Sequence, residues 1–183
     1  MATMIPKNGS DLNEQGIEKI IDNFSFTGAL LAKAEWSNHR LIFATKPLKE
    51  PLHISGKPRV SIRLACDRPT ANLTVWLVNL PWTDSERITE DVITRGWADP
   101  QNSSSLETQQ PLQPGEFRTV EFDLQPDDQV IEQGQQIGLM VFSSDRDFTL
   151  WPEPGTEISI DLDQTTLSLP VVGGEAVFRL ATE

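Results

Sequence analysis

Apolar and polar residues alternate with a period of two through much of this chain. Val60, Ile62, Leu64 and Cys66 are interleaved with Ser61, Arg63 and Ala65, and Val120, Phe122 and Leu124 with Thr119, Glu121 and Asp123. A β-strand turns successive side chains to opposite faces, so such a run describes a strand with one buried and one wet face. Ile158, Ile160 and Leu162 repeat the pattern within residues 157–162. Residues 72–79 (NLTVWLVN) are apolar on both faces, which predicts a strand in the interior of a sheet. Residues 40–44, 136–143, 166–169 and 176–180 complete the set of predicted strands.

Turn sequences separate these runs: Ser55-Gly56-Lys57-Pro58, Asp67-Arg68-Pro69, Gln113-Pro114-Gly115, Gln125-Pro126-Asp127-Asp128, Pro152-Glu153-Pro154-Gly155 and Gly173-Gly174. Many short strands at such intervals describe an all-β sandwich or jelly roll. Parallel βαβ units would need helical crossovers, and the segments after Arg40 do not supply them. The 183 residues fit one domain, which at this size buries roughly 70% of its unfolded surface. Residues 1–39 are expected to form an N-terminal tail and linker, and residues 40–183 the β body. Within the leader, Ile17, Ile20 and Ile21 have helix-like spacing in residues 16–23, with a packed linker as the alternative. Residues 29–36 (ALLAKAEW) are rich in helix formers.

The formal charge of −12 repels phosphate backbones and anionic lipid heads, and Lys46, Lys49 and Lys57 are the nearest approach to a basic cluster. Neither a nucleic acid nor a membrane is therefore expected as a partner. No stretch reaches the roughly 20 apolar residues of a membrane span, and residues 1–11 lack the apolar run of a signal peptide. Cys66 is the only cysteine, so no intrachain disulfide can form, and a reduced, cytoplasmic setting is expected.

Chemistry-bearing patterns are sparse. A serine on a Gly-x-Ser-x-Gly elbow would mark an α/β-hydrolase nucleophile, and no serine here has that setting. His39 and His53 are the only imidazoles; with Cys66 they do not reproduce a zinc spacing. Asp127-Asp128, Asp145-x-Asp147 and Asp161-x-Asp163 do not match a calcium loop and read as solvated carboxylates. No catalytic residue, metal or cofactor is expected. Of the five tryptophans, Trp76 lies mid-strand and reads as core. Trp82 and Trp151 adjoin prolines in loops and are the candidates for an aromatic surface, as in a carbohydrate- or surface-binding module.

The densest group of polar and aromatic residues is Thr94-Arg95-Gly96-Trp97-Ala98-Asp99-Pro100-Gln101-Asn102. Together with Arg40-Leu41-Ile42-Phe43-Ala44, Leu52-His53-Ile54-Ser55-Gly56, Leu124-Gln125-Pro126 and Gly138-Leu139-Met140-Val141-Phe142-Ser143, in this order, it resembles the C-terminal domain of bacterial Xaa-Pro dipeptidyl-peptidases. The wider group is similar to cocaine esterase and α-amino-acid ester hydrolases. The resemblance implies a jelly roll, galactose-binding-like in shape, appended to an α/β-hydrolase domain that would be its partner. In such enzymes an upstream Ser-Asp-His triad releases Xaa-Pro dipeptides, and none of the three residues maps onto this chain. One departure is that Gln135 and Gln136 stand where relatives commonly place His and Arg. On this reading a loop carrying Arg95, Trp97, Asp99 and Asn102, with residues 20–36, docks on the hydrolase domain or braces that surface; internal scaffolding is the alternative. The same exposed face could pair two copies into a homodimer.

Overall fold

In the computed structural model the alternating segments become strands of antiparallel sheets packed face to face. The structure describes residues 5–6, 16–85, 87–105, 107–152 and 154–183. In chain order its elements begin with β1 (Ile5–Pro6), β2 (Ile17–Ile21), α1 (Gly28–Lys33), β3 (Arg40–Ala44), β4 (Leu52–Gly56), β5 (Arg59–Cys66) and β6 (Leu73–Leu80). They continue with β7 (Val92–Ala98), β8 (Arg118–Asp123), β9 (Asp127–Ile131), β10 (Gln136–Phe142), β11 (Glu157–Ser168) and α2 (Gly174–Thr182). Single 3-10 turns lie at Ile88–Glu90 and Pro100–Asn102. One sheet has the order β1-β3-β10-β6-β7, a second has β2-β11-β5-β8, and β4 pairs with β9. The result is an all-β sandwich.

The two large sheets bury their strands differently. In the four-stranded sheet, Ile20, Val60, Ile62, Leu64, Val120, Ile158 and Ile160 point into the inter-sheet core. The opposite face is wet: Arg59 bridges Glu121 at 2.9 Å and Asp123 at 3.1 Å, Arg63 meets Asp161 at 3.2 Å, and Lys19 meets Glu157 at 2.6 Å. Exposed pairs of this kind contribute at most about 1 kcal/mol each, so this sheet is held by its apolar face.

The five-stranded sheet is covered on both sides. Leu41, Leu73, Val75, Leu77, Leu139 and Val141 face the inter-sheet core. Ile42, Trp76, Val78, Leu80, Met140 and Phe142 form a second core on the outer face, closed by Leu31 and Ala32 of α1 and by Ile88. All eight positions of β6 are buried, as the doubly apolar run at 72–79 predicts for an interior strand. A fully buried Leu or Ile contributes about 1.5–3 kcal/mol, so the outer cluster is a second source of stability and not a decoration. Gly134 turns the chain into β10 at φ +84, a conformation that side-chain-bearing residues rarely adopt.

Three expectations are corrected. Within residues 16–23, Ile17–Ile21 form strand β2, paired with β11 from Ile17↔Asp161 to Ile21↔Glu157, and not a helix. So short a segment cannot nucleate a helix on its own, whereas the β11 edge supplies backbone partners. Residues 176–180 belong to helix α2, where Glu175 and Arg179 pair at 2.6 Å across one turn and Ala181 is buried. Among the described residues of the expected leader, β2 is a strand of one sheet and α1 covers the other, so this part is more than tail and linker.

Candidate functional site

α1 is only six residues long and is held from both ends. The Thr27 side chain accepts a hydrogen bond from the Leu30 N–H at 3.3 Å, capping the first turn. At the other end, buried Arg40 donates from Nε to the Leu31 carbonyl at 2.5 Å and from Nη2 to the Ala34 carbonyl at 2.5 Å. These are carbonyls that the end of a helix leaves without partners. Burial holds the Arg40 pKa below the usual guanidinium range. Between the two ends, Gly28 lies against the six-membered ring of Trp76, so α1 is seated directly on β6.

The neighbouring strand carries two of the predicted docking residues. Arg95 and Trp97, expected on a loop, lie two apart on β7 and so share a face. The Arg95 guanidinium sits over the ring of Trp76, 5.2 Å from its centroid, and over that of Phe148 at 5.0 Å. The Trp97 ring packs on Phe148 with centroids 5.0 Å apart, and its Nε1–H donates to Asp145 Oδ2 at 3.2 Å. Asp99 and Asn102 belong to a different cluster. Asp99 caps the 3-10 turn, accepting from the Gln101 N–H at 3.0 Å and from Asn102 Nδ2 at 2.9 Å. Gln101 in turn accepts from the Ala71 N–H at 3.0 Å, so this half of the motif ties the turn to the body of the domain.

Asp145 is not the solvated carboxylate its sequence setting predicts. It is 1% exposed, and its Oδ1 has no hydrogen-bond partner among the described residues. Burial pushes its pKa up, opposed first by the Trp97 hydrogen bond. In the native state Asp145 therefore takes up its proton at a higher pH than in the unfolded chain. Between the two values the native state binds more protons, so this group's effect on stability worsens as pH rises through the native value. Acidification from neutral pH into that window should raise the melting temperature through Asp145. An Asp145→Asn variant should lose this component when melting curves of the two proteins are compared across pH. At lower pH, Asp128 and Glu175, whose pKa values are held below the ordinary range by hydrogen bonds from His53 and Arg179, act in the opposite direction.

Segments distant in sequence extend the cluster. Buried Asp22 accepts from the Ser144 N–H at 2.8 Å, which fastens the leader to the loop after β10. Phe24 stacks on Trp151 with centroids 5.3 Å apart and planes 1° from parallel. Arg146 donates to the Ser25 carbonyl at 3.2 Å, and Trp151 Nε1–H donates to the Arg146 carbonyl at 3.0 Å. On this framework Phe148 (56% exposed), Leu150 (90%) and Trp151 (55%) remain in solvent, as does Leu30 on α1 (58%). Trp82 does not join them; it packs half-buried against the outer core. With Phe24 across one face of Trp151, the two tryptophans do not form a shared open platform. Phe148, Leu150 and Asp22 were not singled out from sequence and Asp145 was read as solvated, because nothing local distinguishes an exposed Phe or a buried Asp in a loop.

The remaining reactive groups are committed elsewhere. His39 Nδ1 lies 2.7 Å from the Ile21 carbonyl. His53 Nε2 lies 2.5 Å from Asp128 Oδ1, and Ser55 lies beside the same carboxylate. A nucleophilic relay needs the imidazole between hydroxyl and carboxylate; here the carboxylate stands in the middle, so His53 is not placed to take a proton from Ser55. Burial, with Asp67 beside it, pushes the Cys66 thiol up to about 12, which keeps it an unreactive packing group. Among the described residues no group of three or more His, Cys, Asp or Glu side chains could hold a metal ion. A groove of about 540 Å³ runs between the end of β11 and α2, lined by Leu167, Leu169 and Phe178. Its acidic group, Glu175, is paired with Arg179.

Comparison with known proteins agrees with this architecture. The chain is 62% identical over 165 residues to a Rhodopirellula baltica protein named "Putative Xaa-Pro dipeptidyl-peptidase", covering 89% of this chain and 26% of that protein. A Bacillus cereus protein of the same name is 39% identical over 131 residues, covering 72% of this chain and 22% of its own length. The chain thus spans about a quarter of the length of these curated relatives. An α-amino acid ester hydrolase shares the fold at a TM-score of 0.67 and 17% identity, over 87% of this chain and 33% of that one. An aminopeptidase from a marine sediment archaeon, Thaumarchaeota archaeon, does so at 0.67 and 14%, over 92% and 36%. The family described as "X-Pro dipeptidyl-peptidase C-terminal non-catalytic domain" matches residues 10–178, and it is to this family that the chain belongs.

Proposed function

We propose that this chain is the β domain that docks on and braces the α/β-hydrolase domain of an Xaa-Pro dipeptidyl-peptidase, a serine hydrolase releasing N-terminal Xaa-Pro dipeptides. The observation that carries this reading is the loop after β10, where Phe148, Leu150 and Trp151 are exposed and Phe148 packs on Arg95 and Trp97. Large apolar side chains gathered on one surface mark an interaction site, and Trp, Phe and Arg are the residue types that dominate such contacts. A sheet buried on both faces is a stiff support. Hydrolases that select a dipeptide need cleft walls held in place, since small displacements of the substrate cost much of the rate. The chemistry on this reading belongs wholly to the partner domain, and no cofactor is required. A reducing cytoplasm, suggested by the lone cysteine, is the proposed location.

The test is association of the chain with the separately produced hydrolase domain, followed by calorimetry and by turnover of an Xaa-Pro chromogenic amide. Phe148→Ala and Trp151→Ala should each weaken association by about 10-fold or more, as truncated interface anchors do. The melting temperature of the isolated chain should change little. Absence of association, with turnover indifferent to the chain, would refute the reading. If sedimentation shows two copies pairing and Trp151→Ala separates them, the loop serves a homodimer instead.

A further inference from the structure

We propose that Arg95 is the recognition residue of this surface and takes a side-chain carboxylate, Asp or Glu, from the hydrolase domain. The inference rests on the docking reading above and names the chemistry of its central contact.

Arg59, Arg63, Arg146 and Arg179 each donate to an oxygen of this chain. The guanidinium of Arg95 has no hydrogen-bond acceptor or salt-bridge partner among the described residues. Asp145 feels its charge through space, yet no ion pair forms between them. Arg95 instead packs on two rings, those of Trp76 and Phe148. Trp76 is 3% exposed and fixed in the outer core, so that contact is rigid. Neither ring contact uses an N–H of the guanidinium on an oxygen of this chain, so its donors remain uncommitted among the described residues.

A planar fork of uncommitted donors fits a carboxylate approaching edge-on, with two parallel N–H···O bonds. The side-chain freedom of Arg95 is already restricted by the rings, so little more is lost when a partner binds. Beside it the half-exposed ring of Phe148, itself packed on Trp97, would exclude water from one side of the contact, where a charge-assisted pair gains most. In a chain of net charge −12, an arginine without an ion-pair partner among the described residues, held against buried Trp76 and half-exposed Phe148, is the local exception, and it is complementary to an acidic group on the partner.

The experiment compares wild-type chain, Arg95→Met and Arg95→Lys for binding to the separately produced hydrolase domain at several salt concentrations. Arg95→Met should weaken binding by at least about 30-fold and flatten its salt dependence, as loss of one member of a desolvated charge pair does. Arg95→Lys keeps the charge but not the fork, and should still weaken binding by about 10-fold. One Asp or Glu of the hydrolase domain, neutralised to Asn or Gln, should cause a similar loss and add little to Arg95→Met. Binding of Arg95→Met within about 3-fold of wild type would overturn the proposal while leaving docking intact. Failure of the wild-type chain to bind would instead remove the docking reading itself. If both variants lower the melting temperature of the isolated chain in step with the loss of binding, Arg95 is internal scaffolding and the proposal is wrong.

Discussion

Replacing Gly28 by alanine is expected to destabilise the protein by about 2–3 kcal/mol, although the same change in an exposed helix would stabilise it by about 1 kcal/mol. Gly28 is the first residue of α1, and a methyl group there would overlap the ring of Trp76. The ring has nowhere to go. It is buried, Phe142 meets it edge-on at 5.5 Å, and Arg95 lies across it at 5.2 Å. α1 must therefore lift away from β6, which opens the outer core formed by Leu31, Ala32 and Met140. For a domain of this size such a loss lowers the melting temperature by roughly 5–10 °C. Thermal unfolding followed by circular dichroism reads it directly. The double variant Gly28→Ala with Trp76→Leu should be more stable than the sum of its single changes predicts, because the smaller side chain gives the methyl group room. A melting temperature for Gly28→Ala equal to or above wild type would show that α1 is not seated on Trp76.

Phe142→Ala should cost more, about 3–5 kcal/mol. Phe142 has no exposed surface and lies on β10, the middle strand of the five-stranded sheet, on the face turned away from the second sheet. Truncation removes its ring from the outer core and also deletes the edge-to-face contact with Trp76, itself worth about 0.5–1.5 kcal/mol. The cavity would lie beneath Trp76 and α1, where rigid strand backbone limits collapse. Urea denaturation gives the loss as a shift of the midpoint at constant slope. Leu180→Ala is the control: Leu180 is 72% exposed on α2, and its truncation should stay within about 0.5 kcal/mol. If Phe142→Ala proved as mild as Leu180→Ala, the outer cluster would be a surface feature and the sandwich would rest on the inter-sheet core alone.

These two expectations concern the part of the molecule that was hardest to foresee. The strands β5, β8 and β11 were legible from their period-two patterns, and β3, β6 and β10 from short apolar runs bounded by turn signals, each within its own residues. Residues 16–23 were not, since Ile17, Ile20 and Ile21 have a helical spacing, whereas in β2 only Ile20 is buried and it was the β11 edge that made the segment a strand. Residues 176–180 failed for a related reason. Val177 and Phe178 pack on the core beside buried Ala181, a helical spacing that five residues read alone do not separate from a strand. Asp99 and Asn102 stand close to Arg95 and Trp97 in sequence, yet β7 ends between the two pairs. One pair caps a turn while the other meets the rings.

The order of amino acids by itself determined that this chain would make short antiparallel strands with an apolar face, and its motifs placed it beside the non-catalytic domains of dipeptidyl-peptidases. Alternation of side chains is a backbone property and needs no partner to be read. Tertiary structure alone decided which carboxylates lie buried, which strand faces are doubly covered, and that Trp76, Arg95 and Phe148 meet, because burial depends on what covers a residue. In this protein the covers, α1 and the loop after β10, come from segments more than a hundred residues apart.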